Sequence, residues 1–293
     1  MRRLTCSFMD ADLYVKLVNE AKNLSGRVHS VYDSVVNIRT CHGELLTLSL
    51  EKGYYIPGAF QIRETLRFSM FEDLQGKEVS VTKELLEVKG VFCVALSQAQ
   101  VLYPSFRMAS LRQDLPAAYA WAREHLLQIG SGGGCLAFYG SPDRADLLEK
   151  ELALRIGHLR ESPDFGRLLG LGRGLTPSGD DFCLGYLCMS RHFRHPVTDV
   201  WRQSLRETLL AEAMDTTDVS REMLLHGVKE RYIEPLSEFC ERILGGVALP
   251  ECRKSMEKLL NIGSTSGTDM ATGAMFALEM LLETENTGGN YGQ

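Results

Sequence analysis

The residues of this chain best suited to chemistry stand in two short segments of nearly the same design. One is Thr176-Pro-Ser178-Gly179-Asp180-Asp181-Phe-Cys-Leu-Gly185; the other is Ser264-Thr-Ser266-Gly267-Thr-Asp269-Met-Ala-Thr-Gly273. Both read Ser-Gly-x-Asp-x-x-x-Gly, both carry a hydroxyl residue two positions before the serine, and both open a long apolar stretch. A serine at the N-cap with an acid three residues later predicts a capping box, Asp181 and Asp269 standing in for the commoner glutamate. Gly179 and Gly267 then leave the first turn without a side chain, so that its backbone N–H groups face whatever approaches. Such a helix start offers about half a positive charge and several free donors, which suits a phosphate or a carboxylate. Gly170, Gly172 and Gly174 make the approach to the first segment poor in side chains, and Arg173 among them adds a guanidinium fork for an oxyanion. Gly185 and Gly273 fall close to two helical turns after their serines, where they permit close packing of a neighbouring helix.

The carboxylates admit a second role. Hard oxygen ligands such as Asp180, Asp181 and Asp269 could hold magnesium (Mg2+) beside a phosphate, although capping is the simpler use of Asp181 and Asp269 and leaves Asp180 as the freer group. A third cluster, Asp215-Thr216-Thr217-Asp218-Val219-Ser220, also reads as a helix start, with Thr216 or Thr217 as its cap. If the helices bundle with their N-termini together, Thr216, Thr217 and Ser220 face the same cavity. The combined expectation is one anion site assembled from Gly172, Arg173, Gly174, Thr176, Ser178, Gly179, Asp180 and Asp181 on one side and Ser264, Ser266, Gly267 and Asp269 on the other.

Other chemistries lack their signatures. Gly170-x-Gly172-x-Gly174 is not GxGxxG, and the run before it, Phe165 to Leu169, has a helical rather than a strand pattern, which argues against a dinucleotide site. There is no GxxxxGK[ST], and Ser178 is not in a GxSxG elbow. No histidine pairs with a serine or cysteine as a triad would require. His192-Phe-Arg-His195 has no second ligand pair at zinc spacing, so no metal centre is expected from it. No catalytic base or nucleophile stands out.

The composition is that of an ordinary globular chain. It has 293 residues, 44% of them hydrophobic and 24% charged, with a formal net charge of -6. That mild acidity argues against nucleic acid, whose phosphates demand a basic surface. The cluster Arg191-His-Phe-Arg-His195 falls where a helix should end, a favourable place for cations. No stretch approaches the roughly 20 apolar residues needed to span a membrane. Asp10 and Asp12 interrupt the start, so it does not read as a signal peptide. The eight scattered cysteines, none in a CxxC pair, fit reduced thiols in a cytoplasmic protein.

These segments must be held by a scaffold, and the periodicity predicts two parts. Strand patterns dominate residues 1–112: Val28 to Ile38, Glu44 to Leu50 after a His42-Gly43 turn, Tyr54 to Ile56, Phe60 to Ile62 after Pro57-Gly58, Glu78 to Val81, and Val91 to Leu96. Helical patterns dominate residues 113–293: Pro116 to Ile129, Pro142 to Leu159 with Asp143 and Asp146 in its first turn, Ser178 to Phe193, Val197 to Met214, Val219 to Lys229, Ile233 to Leu244, Pro250 to Leu260, and Ser266 to Glu283. Gly130-Ser-Gly-Gly-Gly134 reads as the end of the first of them. The predicted class is α+β, a β-rich N-terminal domain packed on a helical C-terminal domain.

GLGRGLTPSGDDF, the TTDVS helix start and IGSTSGTDMATG occur here in the order found in a bacterial family formerly of unknown function, and the chain resembles its AllH-type members, assigned as a subunit of oxamate carbamoyltransferase. The likeness covers the C-terminal two thirds, and more loosely the N-terminal part through Ser34-Val-Val-Asn37-Ile. Where the family pattern has proline after GLG, this chain has Arg173. The resemblance implies a subunit of an assembly with an FdrA-like protein and a further subunit. The reaction it implies interconverts oxamate and carbamoyl phosphate with oxalurate and phosphate, in breakdown of the ureide allantoin. Its substrates are small anions, the class to which the helix starts point independently. Two other readings stand beside it: a non-catalytic scaffold or regulatory subunit, and a stand-alone carboxylase-like enzyme acting on a small carboxylic acid.

Overall fold

The computed structural model describes residues 1–19, 24–104, 111–141, 143, 145–211, 214–246 and 248–288. The chain divides into two compact units, residues 1–104 and 105–293, and the class is α+β: a β-rich N-terminal region followed by a helical one.

The N-terminal unit contains β1 (Arg2–Asp10), α1 (Ala11–Asn19), β2 (Leu24–Val31), β3 (Val35–Thr40), β4 (Leu45–Leu50), β5 (Ala59–Ile62), β6 (Glu78–Val81), β7 (Leu85–Val88), β8 (Phe92–Ala95) and β9 (Gln100–Leu102). The sheet runs β5-β4-β3-β2-β6-β7-β8-β1-β9, and β5 also pairs with β1, which closes the first eight strands into a barrel. Its interior follows the period-two rule for strand side chains. Val79 and Val81, Leu86 and Val88, and Phe92 and Val94 all face the core, together with Leu4, Ile38, Leu48 and Phe60. The stretch Val28 to Ile38, which alternates throughout, is two strands rather than one. The polar pair Asp33-Ser34 breaks it, the Tyr32 N–H bonds the Val35 carbonyl at 2.8 Å, and β2 and β3 fold back with Val28 opposite Ile38. Tyr54 to Ile56 is not a strand; Tyr55 is buried and its hydroxyl bonds Asp10 at 3.2 Å.

The helical unit contains α2 (Leu115–Ile129), α3 (Leu147–His158), α4 (Ser178–Ser190), α5 (Pro196–Leu210), α6 (Asp218–Val228), α7 (Glu234–Leu244), α8 (Leu249–Leu260) and α9 (Ser266–Gly288). The helix read from Pro142 starts later; Pro142 lies outside the described residues, and Asp143 precedes the helix. Asp146 is its N-cap, and a reciprocal capping box with Glu149 fixes the start at Leu147. The most extensive helix pairing in the unit is that of α4 with α9. Every residue of α4 is buried; this is expected of the apolar run over residues 182–189, but it also buries Ser178, Asp180 and Asp181 at its start. Of the cysteines, Cys41 is exposed and the other seven are buried, all as free thiols. No helix among the described residues is long and apolar enough to cross a membrane.

Candidate functional site

The two Ser-Gly-x-Asp-x-x-x-Gly segments become a matched pair across the crossing of α4 and α9. A Cβ placed on Gly185 would stand 1.9 Å from the carbonyl oxygen of Met270, and one on Gly273 would stand 1.9 Å from that of Phe182. Phe182 and Met270 are equivalent positions in the two segments, so each helix receives the other's carbonyl into its own glycine gap. The match continues upstream. A Cβ on Gly179 would stand 2.0 Å from the Leu168 carbonyl oxygen, and one on Gly267 would stand 2.0 Å from that of Leu259. The Gly179 N–H donates to Leu171 and the Gly267 N–H to Ile262, each at 2.9 Å.

These contacts correct the expected use of several residues. The glycines do not bare the first turn: their N–H groups are spent on the preceding loops, and their missing side chains admit the carbonyls of Leu168 and of Leu259 in α8. The capping boxes do not form. Pro177 is the N-cap of α4 with no side-chain cap, and Ser178 is already helical. Asp269 Oδ1 accepts the Cys135 N–H at 2.6 Å instead. The physical reason is helix geometry. Asp181 and Asp269 precede Gly185 and Gly273 by four residues, so each lies on the face that meets the other helix. Asp269 therefore meets the Gly134-Cys135 loop, and Asp181 feels the charge of Asp269, rather than either capping its own start. Asp180 is not the freer group. It is 1% exposed and accepts from Gly170 N–H at 2.8 Å, from Ser220 Oγ at 2.6 Å and from the Thr216 hydroxyl. It thereby ties the glycine loop and the start of α6 to α4. Thr217 is the N-cap of α6, accepting from Ser220 N–H at 3.1 Å.

The two helix starts lie together, with Thr176 Oγ1 and Ser266 Oγ 3.0 Å apart. Burial divides the residues around them into layers. Arg173, Gly174 and Ser264 are exposed, and Gly172, Thr176, Thr217 and Ser266 are half-buried. Ser178, Asp180, Asp181 and Asp269 are buried. Gly172, at φ +149°, passes so close over the start of α4 that a Cβ there would stand 2.1 Å from the Ser178 nitrogen. Arg173 is exposed and reaches Asp146 at 3.0 Å. A shallow cavity of about 390 Å³ opens beside the first segment, lined by Gly170, Pro177, Asp215, Thr216 and Thr217 among others.

One part of the site was not expected: the loop Gly130-Ser-Gly-Gly-Gly134, read only as the end of a helix. A Cβ on Gly134 would stand 2.2 Å from Asp269 Oδ1, and the Ser131 N–H bonds Thr268 Oγ1 at 3.0 Å. Cys135, which follows, meets Asp269 through its N–H and donates its thiol to the Ser178 carbonyl at 3.3 Å. The Gly133 N–H bonds Glu149 at 2.7 Å. Through the Asp146–Glu149 box this loop is linked to Arg173. The available signal was four glycines within five residues.

The electrostatics follow from burial. Burial raises the Asp181 carboxyl well above the ordinary range, the charge of Asp269 raises it further, and the hydroxyls of Ser266 and Thr176 oppose the shift. Burial raises Asp269 to about 6, against the Cys135 N–H and the hydroxyls of Ser178 and Thr265. Each acid is thus influenced by a hydroxyl of the other segment, Asp181 by Ser266 and Asp269 by Ser178, as well as by one of its own. Asp180 is also raised by burial, against its three donors. Burial and then Asp269 hold the Cys135 thiol protonated. Asp181 Oδ2 and Asp269 Oδ2 are buried without any hydrogen-bond partner. Among the described residues no group of three or more His, Cys, Asp or Glu is placed to hold a metal.

Two family models match the chain. One, described as oxamate carbamoyltransferase subunit AllH, matches residues 168–278 and so spans both glycine-serine segments and the start of α6. The other, described as the AllH family N-terminal domain, matches residues 4–101, which holds all of the N-terminal sheet but Arg2, Arg3 and Leu102. No solved structure matches it.

Proposed function

The chain belongs to the AllH family, that of an oxamate carbamoyltransferase subunit, and on that premise we propose that its small anionic substrates, carbamoyl phosphate and oxamate, meet at the paired starts of α4 and α9. The observation that carries this reading is the crosswise meeting of the two matched segments, with Thr176 and Ser266 3.0 Å apart. In the reaction the amide nitrogen of oxamate bonds to the carbamoyl carbon. The bond from that carbon to the phosphate oxygen breaks, phosphate leaves with the electron pair, and the nitrogen gives up a proton. Oxalurate and phosphate result, a step of ureide catabolism. Hydroxyl groups of Thr176, Ser264 and Ser266, loop N–H groups and Arg173 form the outer layer that orients the anions and meets the charge gathering on phosphate, while the Thr217 hydroxyl is spent on Leu175 and Ser220. Glycines, hydroxyls and one guanidinium position and polarise; the rest of the machinery falls to other protein subunits, among them an FdrA-like one.

The test is reconstitution. The chain is co-purified with the subunits encoded beside it, and carbamoyl transfer from carbamoyl phosphate to oxamate is followed with and without it. Transfer should require the chain. Ser266→Ala should lower kcat/KM about tenfold, the worth of one hydrogen bond to a charged group, while the assembly stays intact. An intact assembly whose kinetics ignore Ser266→Ala would instead favour a scaffold role.

A further inference from the structure

We propose that Asp181 and Asp269 together hold one divalent cation of the magnesium type between the starts of α4 and α9, beneath the hydroxyl layer where an anionic substrate arrives. The inference rests on the placement of the pair and deepens the reading above, since it says how a site lined with acids takes an anion. Asp181 is 2% exposed and Asp269 0%, and each keeps one oxygen, Oδ2, without a hydrogen-bond partner. A buried polar atom without a partner is costly and rare in folded proteins. Here two of them occur at equivalent positions, one turn before the glycines at which the helices touch, with the Asp269 carboxylate set against Gly134 and its charge acting on Asp181.

Asp180, their neighbour, is different. Both of its oxygens are spent on Gly170, Thr216 and Ser220, so it is a structural acid. The groups facing the pair are hard oxygens: the hydroxyls of Ser266 and Thr176 beside Asp181, and those of Ser178 and Thr265 beside Asp269. The nearby Cys135 thiol is held protonated and bonds a backbone carbonyl, which removes it as a soft ligand. An all-oxygen set with two carboxylates is too small for a cage built wholly by protein. It matches the habit of magnesium, which takes one or two carboxylates and completes its shell with water and substrate phosphate. A cation there neutralises two acids that would otherwise repel a phosphate, and it presents positive charge where the transferred group departs.

The experiment uses the purified full chain stripped of metal, with manganese as the paramagnetic probe and magnesium as competitor. Spin resonance and calorimetry should report one saturable manganese site per chain, displaced by magnesium, in the absence of any carbamoyl substrate. Asp181→Asn and Asp269→Asn should each weaken it tenfold or more with the circular dichroism unchanged. Absence of saturable binding, or binding that survives both substitutions, overturns the proposal. So does an infrared carboxylic-acid band that Asp181→Asn removes but saturating magnesium does not, because the pair would then share a proton. Since no carbamoyl substrate is used, failure here leaves the anion reading standing, and failure of the anion reading leaves the cation result intact.

Discussion

Gly185→Ala and Gly273→Ala will each destabilise the helical unit by about 3 kcal/mol or more, at or beyond the upper end of what overpacking costs. The added methyl has nowhere to go. At each position it would meet a backbone carbonyl oxygen at 1.9 Å, and a carbonyl inside a buried helix cannot swing aside as a flexible side chain can. The helices must separate, which loosens the apolar seam between Phe182, Tyr186 and Phe276 and moves Asp181 away from Asp269. Because both glycines serve one crossing, the double substitution should cost less than the sum of the two singles. Gly157→Ala in α3 is the control: nothing lies within 4 Å of its Cβ, so it should stabilise by about 0.5–1 kcal/mol. Urea unfolding followed by circular dichroism measures all four. Costs below about 1 kcal/mol at Gly185 and Gly273 would contradict this account of the crossing.

The second large effect concerns pH. In the cation-free protein the folded state raises Asp269 from the ordinary aspartate value of 3.8 to about 6 through burial. The folded chain therefore keeps a proton that the unfolded chain releases. Stability falls as pH rises through the window from about 4 to about 6, and above it the whole cost is present. At 1.36 kcal/mol per pH unit that cost is about 3 kcal/mol. Asp181 is shifted in the same direction, which extends the decline to higher pH. Asp269→Asn removes the charge and keeps an oxygen for the Cys135 N–H. In chelator its melting temperature at neutral pH should exceed that of the parent chain, and the slope between pH 4 and 6 should flatten. An asparagine variant less stable than the parent at neutral pH would contradict the burial argument.

Much of this arrangement was legible in the residues themselves. The α+β division follows from the change of hydrophobic period from Leu115 onward, and β6 follows from the alternation in Glu78–Val81. The internal echo of Ser-Gly-x-Asp-x-x-x-Gly located both helix starts and the packing role of Gly185 and Gly273. What local patterns do not carry is direction. Whether Asp181 caps its own helix or faces another depends on where α9 lies; Gly185, four residues on, marks a packing face but not which helix fills it. Asp180 looked free because its donors, Thr216 and Ser220, are remote in the chain and reach it only once α6 is in place. Likewise Gly130 to Gly134 read as a terminator because its use is tertiary: Gly134 must pass against Asp269, far along the chain. Strands β1, β7 and β9 were missed because they are defined by partners, β1 lying between β8 and β5.

The claim on which the functional reading stands is that the two helix starts act as one anion site. The direct measurement is a calorimetric titration of oxamate, and separately of inorganic phosphate, into the full chain in magnesium buffer. It is repeated with Thr176→Val, with Ser266→Ala and with both. One shared site predicts saturable binding that each substitution weakens, with the double variant losing less than the product of the two single losses, because the hydroxyls 3.0 Å apart serve the same bound group. Binding that is unchanged in the double variant, or losses that multiply independently, would contradict it.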